Sequence, residues 1–355
     1  MIWSLQNLRF VAALMVVYIH AVLIAGTASE NGFIPLNLAI AGRAGVDIFF
    51  VLSGFIITKT AQGISAEEFA WRRFRRIIPL YLVWCVPVVL IAAQTGFGWR
   101  EALATFALWP ATDQMTAPLV MSGWTLCFEV LFYTATALVL IDRRWLFALL
   151  GLYAAAMALR STGPMPQFLG NPIIAEFLLG ALLFYAPRGR LAVLALPIGA
   201  ALIILAGPLG IAPQQGRVDG LLGAYGFQRL FVYGIPAALI VYGTLQIETK
   251  QSVWSYLGDA SYSLYLVHYL LLRALGHLWT IFPLSVNFTI PVSMAAAVLF
   301  ALLIHEQVEK PILRAFGAGS RMFSRRQINS LPIRPPSCLV TPCQFQSDRG
   351  GAPGP

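Results

Sequence analysis

The stretch LQNLRFVAALMVVYIHAVLIA (residues 5–25) decides the architecture. As an α-helix its length is about 32 Å, enough to cross a hydrocarbon core of about 30 Å. A surface helix of a soluble protein would set a charged face opposite its apolar stripe. Here the apolar run is broken only by Arg9, Tyr18 and His20 after its first turn. A signal peptide is a poor fit, because these polar groups interrupt the run and no small-residue cleavage site follows it. The segment reads as a retained membrane span.

The same pattern repeats outward from this run. Apolar segments near 44–62, 77–95, 122–141, 145–159, 172–186, 191–207, 229–247, 258–279 and 286–307 follow it. Those at 145–159 and 172–186 are short for a straight crossing. The composition agrees: 58% of the 355 residues are hydrophobic and 11% charged, against about 25% charged in a soluble domain. So few charges could not cover the surface of a soluble fold of this size. Lipid leaves backbone groups without partners, so helices that satisfy their own are the solution. The expected fold is all-α, a polytopic integral membrane helical bundle of about ten transmembrane helices.

The net charge of +9 follows from topology, not from a nucleic-acid partner, since no basic stretch carries interleaved aromatics on a polar surface. With the N-terminus inside, the inner segments hold Lys59, Arg72, Arg73, Arg75, Arg76, Arg143, Arg144, Arg188, Arg190, Lys250, Lys310 and Arg314. The outer segments hold Arg43, Arg100, Arg160, Arg217, Arg229 and Arg273. This excess predicts that both termini are cytoplasmic. Residues 1–316 form the expected transmembrane domain. Residues 317–355, rich in Pro, Arg, Ser and Gly, lack apolar periodicity and are expected to be a disordered cytoplasmic tail. Cys85 and Cys127 lie in apolar runs and Cys338 and Cys343 in the tail, without zinc-ligand spacing.

Ionisable residues inside spans are costly and mark function by default. Arg9 and His20 stand three turns apart on nearly one face of the first helix, about 16 Å along its axis. Arg9 could bind an anion from the inner side or snorkel to the interface. His20 could take a proton from a hydroxyl nucleophile or donate to a neighbouring carbonyl. In GRAGVDIFFVLSGFIITK (42–59), Gly45 and Gly54 permit close helix approach, and Asp47 could orient His20 or cap its helix. Arg73 and Arg76 share one face of FAWRRFRRIIPLY (69–81), either anchoring the span or clamping donor phosphates. Glu129 in WTLCFEVLFY (124–133) needs a partner, with Arg9 or a histidine in reach. Tyr262, Tyr265 and His268 face one way, as a cavity lining or an aromatic belt. His277 and His305 read as interfacial. HEQVEKP (305–311) lacks the second histidine of a zinc protease.

In this order the segments resemble the membrane acyltransferases known as acyltransferase family three, and within it the bacterial exopolysaccharide O-acetyltransferases. LRFVAALMVVYIH is similar to the family's first-helix motif and GVDIFFVLSGF to its second. RRFRRIIPLY carries its Arg-x-x-Arg, and WTLCFE, SYSLYLVH and EKP (Glu309–Pro311) follow in sequence, so that the match runs from Gln6 to Leu313. The resemblance implies a multi-pass enzyme of the bacterial inner membrane. It implies transfer of an acyl group, most often acetyl, from cytoplasmic acyl-CoA to a hydroxyl of an exopolysaccharide or cell-surface sugar, with no permanently bound cofactor or metal. His20 would be the catalytic base with Arg9 as its partner in the motif. Arg73 and Arg76 would lie near the CoA entry, and Asp47, Glu129 and His268 would support the core. Carbohydrate acceptor, lipid bilayer and polysaccharide-biosynthesis proteins are the implied partners. The competing reading of the buried charges is a transporter or flippase for a polysaccharide precursor, without covalent chemistry.

Overall fold

The computed structural model describes residues 2–25, 35–213, 216–282 and 284–316. The expected tail at 317–355, with Cys338 and Cys343, lies outside the described residues. Residues Met1–Leu313 form one compact unit. Among the described residues it is helical throughout, apart from one isolated bridge between Ala111 and Met115.

Among the described residues, seven helices are long and apolar enough to cross a membrane. They are α1 (Trp3–Ala25), α2 (Leu36–Thr60), α3 (Ala66–Ala92), α5 (Gly123–Ile141), α7 (Pro164–Leu183), α13 (Ser261–Ile281) and the last, which begins as α14 (Val286–Ile304). Between them lie α4 (Trp99–Phe106), α6 (Arg144–Ala158), α8 (Arg190–Ala206), α9 (Arg217–Leu222), α10 (Gly226–Arg229), α11 (Ile235–Thr244) and α12 (Val253–Asp259). The remaining three expected spans are shorter or broken. The 15 residues of α6 rise only about 22 Å. The segment expected at 229–247 is built from α10, a π-helical turn Leu230–Gly234 and α11.

Local chemistry explains several boundaries. Ser65 caps α3 by accepting from the Glu68 backbone N–H at 3.2 Å. Pro79 and Pro87 lie within α3, where each removes a helical donor. The start of α2 tightens into a 3-10 segment at Ile40–Ala44 before the α-helix resumes at Gly45.

Close helix approach depends on small residues, as in membrane proteins generally. A methyl group at Gly45 would lie 2.4 Å from the Ala12 carbonyl oxygen of α1. One at Gly54 would lie 2.0 Å from the Phe177 carbonyl of α7, and Gly180 returns the contact against Val51. The two glycines singled out in the sequence are therefore the points where α2 meets α1 and α7. Around them pack Phe50, Phe128, Phe168 and Phe177 on one side and Leu52, Phe55, Tyr233 and Ile240 on the other.

Candidate active site

Two cavities open within the bundle, joined at one wall. The first, about 90 Å³, is lined by Arg9, Ser53, Arg73, Arg76, Glu129, Tyr133 and Tyr262. The second, about 360 Å³, is lined by His20, Arg43, Trp124, Arg217, Arg229, His268, Tyr269 and Arg273. Val46 and Tyr265 line both, so these two side chains are the partition. The Tyr265 hydroxyl is held by Thr125 Oγ1 at 2.8 Å. A third, roomier cavity of about 480 Å³ lies beside Arg160 and residues 222–228 and contains none of the candidate residues.

The first cavity gathers the arginines. Arg9 donates Nη1 to Gln6 Oε1 at 3.0 Å, and Gln6 donates Nε2 to Asp259 Oδ1 at 2.8 Å. This chain fixes the guanidinium from α1 to α12 without a direct carboxylate contact. Arg73 lies over the rings of Phe69 and Tyr133, 5.3 and 5.7 Å from their centroids, and bonds Thr60 Oγ1. Arg76 lines the same space. Glu129 shares this cavity, but its partner is the Ser53 hydroxyl, which donates to Oε1 at 2.7 Å. Among the described residues no ion pair joins Glu129 to Arg9 or to a histidine, the partners expected from the sequence; the Tyr133 hydroxyl is its other hydrogen-bonding neighbour.

In the second cavity His20 Nδ1 is 3.0 Å from His268 Nε2, and the rings stack with centroids 5.1 Å apart. His268 Nδ1 lies 3.1 Å from the Leu264 carbonyl oxygen. A carbonyl only accepts, so His268 Nδ1 carries the proton. In the neutral pair, His268 Nε2 then accepts, and His20 Nδ1 donates to it. The proton of His20 thus sits on Nδ1, leaving Nε2 with a free lone pair. The edge of Tyr269 packs on the His20 ring at 5.5 Å.

Tyr262, Tyr265 and His268 form a column down one face of α13. Tyr262 lines the first cavity, Tyr265 both, and His268 the second. The Tyr262 hydroxyl donates to the Ile77 carbonyl of α3 at 2.9 Å.

Asp47 does not orient His20, nor does it cap its helix. It is wholly buried and accepts two bonds of 2.7 Å from Arg229 Nε and Nη2. A buried carboxylate takes the nearest available cation, and a bidentate guanidinium satisfies it best. Arg229 was legible only as an outer-side charge at the head of an apolar run. Its guanidinium also lies 5.9 Å from the Trp124 ring centroid. Glu176 was missed, although an acid inside IAEFLLGALL (174–183) breaks the apolar pattern. It is fully buried, packed where Gly234 has no side chain, and its carboxyl group faces that of Asp47, so that Arg229 serves two acids. His305 is buried instead of interfacial: its Nδ1 is 2.7 Å from Glu309 Oε2, which also accepts from the Ser263 hydroxyl at 2.7 Å. This cluster sits on the π-helical turn His305–Glu309 and ties the last helix to α13.

Comparison with known proteins bears directly on this arrangement. The family described as "Acyltransferase domain" matches residues 2–306. The exopolysaccharide production protein ExoZ of Rhizobium meliloti (strain 1021) is 31% identical over 314 residues, covering 77% of this chain and 90% of that protein. The acyltransferase MdmB of Streptomyces mycarofaciens is 27% identical over 366 residues, covering 88% and 92% respectively. The peptidoglycan O-acetyltransferase OatA of Listeria monocytogenes is 35% identical over 94 residues, covering 24% of this chain and 13% of OatA. No solved structure matches. With the family matched across nearly all of its helical unit, the chain belongs to the acyltransferase domain family and is a multi-pass membrane acyltransferase.

Proposed function

We propose that the protein transfers an acetyl group from acetyl-CoA to a carbohydrate hydroxyl, an O-acetylation of an exopolysaccharide or its membrane-bound precursor. The observation that carries this reading is the Leu264–His268–His20 hydrogen-bond chain. It leaves His20 Nε2 free to accept a proton in a cavity large enough for a sugar. General-base catalysis of this kind contributes about 10²–10⁴-fold.

Donor chemistry fits the other cavity. Arg9, Arg73 and Arg76 offer guanidinium groups, the side chains best suited to phosphate. A space of about 90 Å³ holds an acetyl thioester but not a nucleotide, so the CoA phosphates would stay at the arginine-rich mouth. The sugar hydroxyl loses its proton to His20 Nε2 as its oxygen forms a bond to the thioester carbonyl carbon. The C–S bond then breaks, and the proton leaves with the CoA thiol. For the reactants to meet, Tyr265 and Val46 must give way between them. Arg9 and the Trp71–Arg76 run would face the cytoplasm, with both termini inside and the protein in the bacterial inner membrane. The positive-inside bias of the loops supports that orientation.

The test is thiol release from acetyl-CoA by the purified full-length protein in lipid nanodiscs, with glycan acceptors present or absent. Acceptor-dependent release and O-acetyl signals in the product's proton NMR spectrum are the expected result. Release at the background rate with every acyl-CoA and glycan tried would refute the reading.

A further inference from the structure

The topology rule leaves few arginines on the His20 side of the bundle, yet four of them line one cavity. Arg43, Arg217, Arg229 and Arg273 surround the space that holds His20 and His268. Among the described residues, no carboxylate lines it with them. Asp47 lies behind the wall and neutralises Arg229 alone.

The other guanidiniums are held in a way that leaves their charge in place. Arg43 donates Nη1 to the Pro213 carbonyl at 3.1 Å, and Arg217 donates Nη1 to the Pro118 carbonyl at 3.1 Å. A backbone carbonyl fixes a guanidinium without cancelling its charge, and each retains further N–H donors. Arg273 is exposed and lines the same cavity one helical turn beyond Tyr269. Membrane insertion works against positive residues on this side, and packing alone would not collect them in one cavity. Trp124 and Tyr269 add aromatic faces of the kind that receive the apolar faces of sugars.

We propose that the acceptor bound beside His20 is an anionic glycan, one carrying a carboxylate or a phosphate ester, held by Arg43, Arg217 and Arg273. The inference rests on the assignment of this cavity to the acceptor. It narrows the acceptor from any sugar hydroxyl to a charged class. The charged group would anchor the glycan so that a neighbouring hydroxyl reaches His20 Nε2.

The test is equilibrium binding to the full-length protein in phosphatidylcholine nanodiscs, so that no anionic lipid competes. The probes are trigalacturonate for the carboxylate source, glucose 1-phosphate for the phosphate source, and neutral maltotriose. At least one anionic probe should bind the wild-type protein about tenfold more tightly than maltotriose, and the stronger one identifies the source. In Arg217→Gln/Arg273→Gln, two substitutions of exposed residues, that preference should fall below about twofold. CoA binding read on the same samples verifies folding. Equal binding of charged and neutral probes, no binding of either anionic probe, or a preference that survives the substitutions would overturn the proposal. So would displacement of the anionic probe by CoA, which would make this the donor cavity. Charge-selective binding without any acetyl transfer would leave this inference standing and count against the enzymatic reading alone.

Discussion

His268 places its Nε2 3.0 Å from Nδ1 of His20 while its own Nδ1 meets the Leu264 carbonyl. The Leu264 carbonyl sets the proton position of His268, and His268 Nε2 together with the Val16 backbone that of His20. The arrangement predicts a graded series. His20→Ala should lower acetyl transfer by about 10²–10⁴-fold. His268→Leu should cost about 10- to 100-fold, the scale of a lost orienting hydrogen bond. His268→Gln should recover much of this, since its amide can donate to Leu264 and accept from His20. The check is the initial rate of thiol release with CoA affinity unchanged. A His268→Leu protein with wild-type rate would remove His268 from the mechanism.

The Asp47–Arg229 pair should be a point of structural failure. Removing one member of a buried pair strands the other, at a cost of about 3–5 kcal/mol. Arg229→Met leaves Asp47 beside Glu176 with no cation and is therefore expected to melt well below wild type in detergent. Asp47→Leu/Arg229→Met should regain most of the loss, because neither charge is then buried alone. Thermal unfolding followed by size-exclusion chromatography distinguishes the two variants.

Gly54→Ala sets a methyl group 2.0 Å from the Phe177 carbonyl oxygen. The helices α2 and α7 must separate, at about 1–3 kcal/mol, typical of overpacking. Gly151→Ala, in α6 with nothing within 4 Å, should be neutral or slightly stabilising. A fall in melting temperature confined to the first variant is the expected pattern.

Arg73 and Arg76 line one cavity three residues apart. Arg73→Lys keeps the charge but loses the planar fork. It should raise the KM for acetyl-CoA by about tenfold, with a smaller change in kcat. Steady-state kinetics against acetyl-CoA at saturating acceptor tests this. An unchanged KM for both Arg73→Lys and Arg76→Lys would detach these residues from donor binding.

The sequence conveys what depends on neighbours along the chain. Helical spacing sets Arg9 and His20 on α1 and aligns Tyr262, Tyr265 and His268 on α13, while Gly45 and Gly54 announce tight packing. Partners distant in sequence were not legible. His20 and His268 are 248 residues apart, and Asp47 and Arg229 are 182 apart. Nothing in either local pattern chooses between the acids and bases available. Local pattern alone therefore offers Asp47 to His20 or to a helix cap, and Glu129 to Arg9 or a histidine. His305 looked interfacial because it stands near the end of an apolar run. Its burial follows from Glu309, one turn on, and from Ser263 across the interface. Seven of the ten expected spans are matched by helices of full crossing length, and the other three fall where apolar character continues but helical length does not. In α6 and α8 the helices are short, and a π-helical turn interrupts the segment ending in α11.

The wall shared by Val46 and Tyr265 also has an electrical meaning. Moving one charge through a membrane potential of 100 mV releases about 2.3 kcal/mol, so an open hydrated route through this bundle would short-circuit the cell's proton gradient. Two side chains, one pinned by a threonine hydroxyl, stand in that route. Under the proposed assignment of donor and acceptor cavities, the residues that keep the reactants apart would also be the insulation such an enzyme needs in an energised membrane. Any opening wide enough for acyl passage has to be sealed by the substrates themselves.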